Sequence, residues 1–240
     1  MLRGKSLFPL HRKVTATVFW VGEPAGGGGS ERNAVSAWDD EWQKHYGCFD
    51  DPYHWNGYFP AGCTPQKNSF YNSLPYNDLD DNGSRRSTAV KVVPWATWFD
   101  WTGRSMLKNQ CVKISRGRQV CYSQVEDVGP YVDDDDQYVF QNTRPKNTLA
   151  HRAGLDVSPA VRDCLGFNGL NNDVNTVRLA VCHLFTGAGR PVEKDHHHFA
   201  AQLERVRILK NFEPESLKFF IYGRVSRHSS RARKIIFKPV

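Results

Sequence analysis

No stretch of this 240-residue chain is apolar for long enough to cross a bilayer, which excludes a helical membrane span. Residues 1–13, Met1 to Lys13, carry basic side chains but lack the apolar stretch of a secretory signal. A chain read as exported therefore starts late or leaves by another route. Six cysteines include no Cys-x-x-Cys, so the sequence points to disulfides in an oxidising compartment rather than to zinc; reduced cytosolic thiols are the alternative. No Lys-Ser/Thr follows Gly26-Gly27-Gly28-Gly29-Ser30, which leaves that run as a flexible loop and not a phosphate cradle. Asp78-Leu79-Asp80-Asp81-Asn82-Gly83 opens like a calcium loop, but Ala89 stands where an EF-hand needs its bidentate glutamate. A complete EF-hand is excluded, and Asn82-Gly83 also makes an ordinary hairpin turn.

Two short segments carry the chemistry. Val125-Glu126-Asp127-Val128-Gly129-Pro130 follows the half-alternating run from Arg118 to Val125, which reads as a half-buried strand. Gly154-Leu155-Asp156-Val157 leads into Ser158-Pro159, a helix start, with Ala160, Val161, Cys164 and Leu165 at helical spacing and Gly166 as the stop. Each places one aspartate, Asp127 or Asp156, where a strand ends. Two carboxylates so placed suit an acid/base site in a groove. They equally suit a turn at Gly129-Pro130 and the cap of a short helix.

Asp127-Val128-Gly129-Pro130-Tyr131, Leu155-Asp156-Val157-Ser158 with Leu165-Gly166, and Ser73-Leu74-Pro75-Tyr76 occur in that family's order along residues 14–167 when set beside the double-psi β-barrels. The chain thus resembles the superfamily of rare lipoprotein A, barwin, expansin and the lytic transglycosylase A barrel, whose matching segments read Asp-Arg-Gly-Pro-Phe, Ile-Asp-Leu-Ser and Thr-Leu-Pro-Phe. Val112-Lys113-Ile114, Gly117 and Val120 resemble its central hairpin, and Thr15 to Trp20 its opening strand. It is most similar to a bacterial branch of secreted barwin-like proteins with a Leu-Pro-Tyr-Asn-Asp segment. The resemblance implies an all-β, six-stranded double-psi barrel over residues 14–177 with short helices and loop insertions. It also implies action on, or binding to, cell-wall polysaccharide by a monomer outside the cell or in its envelope. Neither membrane nor nucleic acid is an expected partner, and no cofactor or metal is expected.

In that reading Asp127 is the general acid/base and Asp156 orients a substrate hydroxyl or the catalytic partner. Asp78 is the remaining carboxylate candidate, since hydrolysis needs two. Tyr71, Tyr76, Tyr131 and Trp55 are expected to contact sugar. Two family positions differ: the histidine upstream of Thr-Leu-Pro-Phe falls on Tyr71, and the arginine of Asp-Arg-Gly-Pro is Val128. These losses favour a non-catalytic wall-binding module as the second reading.

All seven tryptophans lie between Trp20 and Trp101. Their faces can stack on pyranose rings or fill a core; the i, i+4 spacing of Trp38 and Trp42 predicts a helix and packing. Residues 43–85 form a polar, aromatic insertion, flanked by Cys48 and Cys63, which are expected to pair. Cys111 and Cys121 face each other across the Gly117 turn and are a second expected pair. Asp133 to Asp136 reads as a solvated lip near the groove.

Residues 178–240 hold thirteen Lys/Arg against five Asp/Glu, a net of +8, whereas residues 1–177 hold nineteen against twenty. Read literally, Arg224 to Lys238 with its aromatics is a patch for an anionic polymer, and His196-His197-His198 a metal tract. A shifted reading frame explains the change better. The resembled branch continues with Asp-Trp-(Arg/Gln)-Phe and ends near Val-Pro-Ala-Gly-Pro-Trp. Codons for Arg178 to His183 and for Gly187 to His196 permit both after a one-base shift. The final barrel strand would then be missing and the tail without selected function.

Overall fold

A computed structural model describes residues 10–25 and 33–168 and the backbone of residues 171–181. The protein is strand-rich with few short helices, an all-β arrangement. The next strand of the main sheet along the chain after β1 (His11–Val18) is β4 (Tyr71–Leu74), which lies inside the 43–85 stretch that was expected to be an insertion. Between them lie helix α1 (Trp42–Tyr46) and a short hairpin with two residues per strand, β2 (Trp55–Asn56) and β3 (Phe59–Pro60). Helix α2 (Ala89–Val92) precedes β5 (Gln110–Arg116) and β6 (Gln119–Val128), joined at Gly117, whose φ of 56° suits a residue without Cβ. Helix α3 (Asp136–Phe140), β7 (Ala153–Val157), α4 (Pro159–Leu165) and β8 (Asn171–Val181) follow.

The main sheet pairs in the ring β1-β7-β4-β6-β5-β8 and closes from β8 back to β1. Two pairs are parallel, β1 with β7 and β4 with β6; the others are antiparallel. β1 begins at His11, before the boundary read at 13/14, and β8 runs to Val181, beyond 177. Beyond residue 181 the basic tail, its histidine tract and its shifted-frame reading lie outside the described residues, as does the Gly26–Ser30 loop.

Inward side chains of the ring form the core: Ile114, Val125, Leu155 and Val157 are closed to solvent. Each such aliphatic burial is worth about 1.5–3 kcal/mol. Helix α4 closes one side of it through Val161 and Leu165. Ser158 caps that helix, its hydroxyl accepting from Val161 N at 3.3 Å, with Pro159 in the first turn and Gly166 left-handed at the end. Arg116 of β5 donates to the carbonyls of Leu165 and Gly166, which the helix end leaves unpaired. A second cluster packs Phe19, Val21, Trp42, Tyr46 and Tyr71.

Three expectations need correction. The helix containing Trp42 does not reach Trp38, because residues 36–41 turn through a Ser36–Asp39 bridge before α1 starts. Cys48 and Cys63 do form a disulfide, but Cys111 and Cys121 do not pair with each other. The hairpin register sets Cys111 opposite Gln124 and Cys121 opposite Ile114, which separates the two sulfurs along the ladder. Cys111 is disulfide-bonded, whereas Cys121 is a free thiol. Finally, Asp133 to Asp136 is no bare lip. Asp135 is buried and caps α3, accepting from Tyr138 N and from Lys146 N, while Asp133 pairs with Arg86 and Asp134 with Lys146.

Candidate functional site

One rung of the sheet carries the site. Thr17 of β1 pairs with Asp156 of β7, Asp156 with Ser73 of β4, and Ser73 with Asp127 of β6. Side chains on one rung project to the same face, so two carboxylates stand on either side of one buried serine. Two strand spacings put their Cα atoms roughly 10 Å apart. Both hydroxyls serve Asp156: Thr17 donates to Oδ1, and Ser73 donates to Oδ2 at 3.5 Å. Gly129 keeps this corner open. Its φ is 150°, and a Cβ there would come within 3.3 Å of Ser73 Oγ and 3.4 Å of Asp156 Oδ2.

The two aspartates differ in surroundings. Asp127 Oδ1 accepts from its neighbour Val128 N and from Ala37 N, each at 2.8 Å, which ties the 33–41 loop to the end of β6. That loop is held further by Trp38, whose Nε1 donates to Asn77 Oδ1 at 2.9 Å and whose carbonyl accepts from Lys108 Nζ at 3.1 Å. Asp156 is enclosed. Burial first, then the negative charges of Asp127 and Glu23, raise its pKa from 3.8 to about 7, against a lowering by the Ser73 hydrogen bond. At neutral pH it therefore holds a proton in a substantial share of molecules. Asp156 does not cap the following helix; Ser158 does.

Glu23, in the turn after β1, is a third carboxylate of the site that the sequence reading missed. Burial raises its pKa to about 7, and it accepts from Asn33 Nδ2 at 2.9 Å. No local motif marks it, since only the β1–β7 pairing carries it toward Asp156. Glu126 was missed as well. It is buried beside Asp127 in sequence, accepts from Gln124 Nε2 at 2.6 Å, and is pushed to about 7 by burial, countered by the charges of Lys108 and Lys67. Lys108 lies within electrostatic reach of Glu126, Asp39 and Asp127, and burial lowers its pKa.

Of the residues expected to contact sugar, Tyr131 stands at the pair: it is 52 % exposed, adopts φ 65°, and feels the charge of Asp156. Tyr76 does not line the groove. It is buried in the core, edge-on to Phe140 with ring centres 5.3 Å apart. Tyr71 is likewise buried, its hydroxyl bound to Asp50. Trp55 lies on the small insertion hairpin, half-buried, with its Nε1 enclosed and without a hydrogen-bond partner.

Asp78 is not brought to the pair. It is fully buried, ion-paired with Arg85, and accepts from Ser105 Oγ at 2.6 Å and Met106 N at 2.8 Å. Its oxygens are thus committed to folding the 78–106 segment. Asp80 closes the Asn82-Gly83 turn, accepting from Asn82 N and Ser84 N. Among the described residues no group of three or more His, Cys, Asp or Glu side chains is disposed to hold a metal ion, and no helix is long and apolar enough to cross a membrane. A surface depression of about 540 Å³, lined by Glu41, Gln43, Lys44 and Phe49 among others, includes neither Asp127 nor Asp156. Comparison of the chain with protein-family profiles and with curated protein sequences finds no match to either.

Proposed function

We propose that the protein is a double-psi β-barrel of the barwin and expansin kind that cleaves a cell-wall polysaccharide outside the cell or in its envelope, acting as a monomer. The observation that carries this reading is the Asp127–Ser73–Asp156 rung, with one carboxyl of raised pKa beside a second carboxylate. The parallel β1–β7 and β4–β6 pairs, linked into a six-strand ring, support the barrel assignment.

The roles expected from sequence exchange in this proposal. Asp156 holds its proton near neutrality and acts as the general acid, passing it to the glycosidic oxygen as the bond to the anomeric carbon breaks. Asp127, with its charge fixed by two backbone N–H groups, faces the oxocarbenium-like centre and takes the proton from the attacking oxygen. Water as that oxygen gives a reducing end; a hydroxyl of the same sugar gives an anhydro ring. Tyr131 offers its exposed ring to the apolar face of a pyranose.

A specific observation favours a second reading, a wall-binding module without catalysis. The residue at the family's histidine position, Tyr71, has its hydroxyl tied to Asp50 and Val21 N and is turned away from any groove ligand. Mass spectrometry of soluble products from peptidoglycan and from cellulose separates the two. The proposal expects fragments from the wild type that are lost with Asp156→Asn and with Asp127→Asn. Folded wild type that binds either polymer without releasing fragments overturns the enzyme in favour of the binding module.

A further inference from the structure

We propose that Cys121 and Cys164 are a disulfide-forming pair that cross-links strand β6 to helix α4. The two thiols are the free cysteines of the described residues, and they lie 43 positions apart in sequence. They meet because α4 packs on β6. Cys164 Sγ lies 3.8 Å from the carbonyl of Val120, and Cys121 Sγ lies 4.0 Å from that of Tyr122, so the sulfurs engage the carbonyls on either side of one strand residue. Their titrations are linked as well: burial first and then Cys164 push the Cys121 thiol up in pKa, while Cys121 pulls that of Cys164 down. Tyr58 feels the charge of both thiols and of Asp163, the residue before Cys164.

The asymmetry gives the reaction an order. Cys121 is buried and Cys164 half-buried, so Cys164 is the sulfur that an oxidant reaches. Its thiolate attacks one sulfur of a small-molecule disulfide such as oxidised glutathione, forming a mixed disulfide and expelling one glutathione thiolate, which takes up a proton. Cys121 then loses its proton and attacks Cys164 Sγ, expelling the second glutathione. Two protein thiols are oxidised by two electrons, and one glutathione disulfide is reduced to two thiols. The cross-link is independent of what the groove binds, yet it joins the strand that ends in Asp127 to the helix that follows Asp156.

Peptide mapping of the full chain tests this. The protein is incubated with oxidised glutathione, quenched in acid, alkylated in denaturant, digested without reduction and analysed by mass spectrometry. The expected product is a Cys121–Cys164 linked peptide replacing both alkylated peptides, with the Cys48–Cys63 link unchanged. Cys121→Ser is expected to accumulate the glutathione adduct on Cys164, whereas Cys164→Ser leaves Cys121 unmodified. Complete alkylation of both cysteines in oxidised wild type, or their linkage to other partners, overturns the proposal.

Discussion

The Tyr71 hydroxyl donates to Asp50 at 2.6 Å inside a site closed to solvent, and the same oxygen accepts from Val21 N at 3.0 Å. Tyr46 donates to the other Asp50 oxygen at 2.7 Å. Tyr71→Phe strands an amide and half a carboxylate, at a cost of about 1–3 kcal/mol for each buried group left unpaired. The expected result is a lower urea midpoint with unchanged slope and normal product formation per folded molecule. Lost sugar binding at unchanged stability would return Tyr71 to the groove.

Arg85→Met leaves Asp78 as a buried carboxylate without its ion-pair partner. Removing one member of a buried pair costs about 3–5 kcal/mol, with the lower end expected because Arg85 is partly exposed. Urea unfolding measures the loss. Calcium is expected to restore nothing; a melting temperature recovered by millimolar calcium would make 78–83 a cation loop.

Asp127→Asn removes a like charge from beside Asp156. The Asp156 pKa then falls from about 7 toward its ordinary value, since the repulsion that favours its protonated form is gone. Carbon-detected NMR titration of the Asp156 carboxyl follows this directly. An unchanged midpoint would separate the two aspartates electrostatically. The same variant keeps an Oδ1 for the Ala37 amide but removes its charge, which weakens that hydrogen bond, and the amide is expected to exchange its hydrogen faster.

Stability is expected to fall as pH rises from about 4 to about 7. Asp50 is raised from 3.8 to about 6, Asp156 from 3.8 to about 7, and Glu23 and Glu126 from 4.5 to about 7, in each case chiefly by burial. The folded state therefore binds more protons than the unfolded chain across that window, and the stabilisation present below the unfolded values is lost as pH passes the folded ones. Asp39, lowered overall because hydrogen bonds from Lys67 and His45 outweigh a burial that raises it, acts at lower pH and does not cancel the trend. Urea midpoints at pH 5 and pH 8 test the sign, and Glu126→Gln is expected to flatten the difference.

Local signals made part of this legible in sequence. Ser158-Pro159 and Gly166 bracket a helix because cap chemistry is local, and Gly117 marks a hairpin for the same reason. Asp127 and Asp156 stood out as strand-end aspartates, and the fold does bring them to one rung. Tyr71 and Tyr76 were misplaced because an aromatic side chain beside Leu-Pro looks alike whether it faces a groove or a core. The hairpin cysteines failed on register: a pairing across a turn needs the ladder count, and here Cys111 meets Gln124. Glu23 and Glu126 left no trace because their perturbation comes from burial, a tertiary property.

The rung Thr17–Asp156–Ser73–Asp127 draws on four strands, and no two of its members are neighbours in sequence. A slip of one residue in β4 would turn Ser73 to the opposite face and set an asparagine or a leucine between the carboxylates. No fragment lacking one of these strands holds even a weakened version of the site. Proton uptake by Asp156 near pH 7 thus reports assembly: it comes from burial and from the charge of Asp127, which reaches Asp156 only when β6 and β7 flank β4.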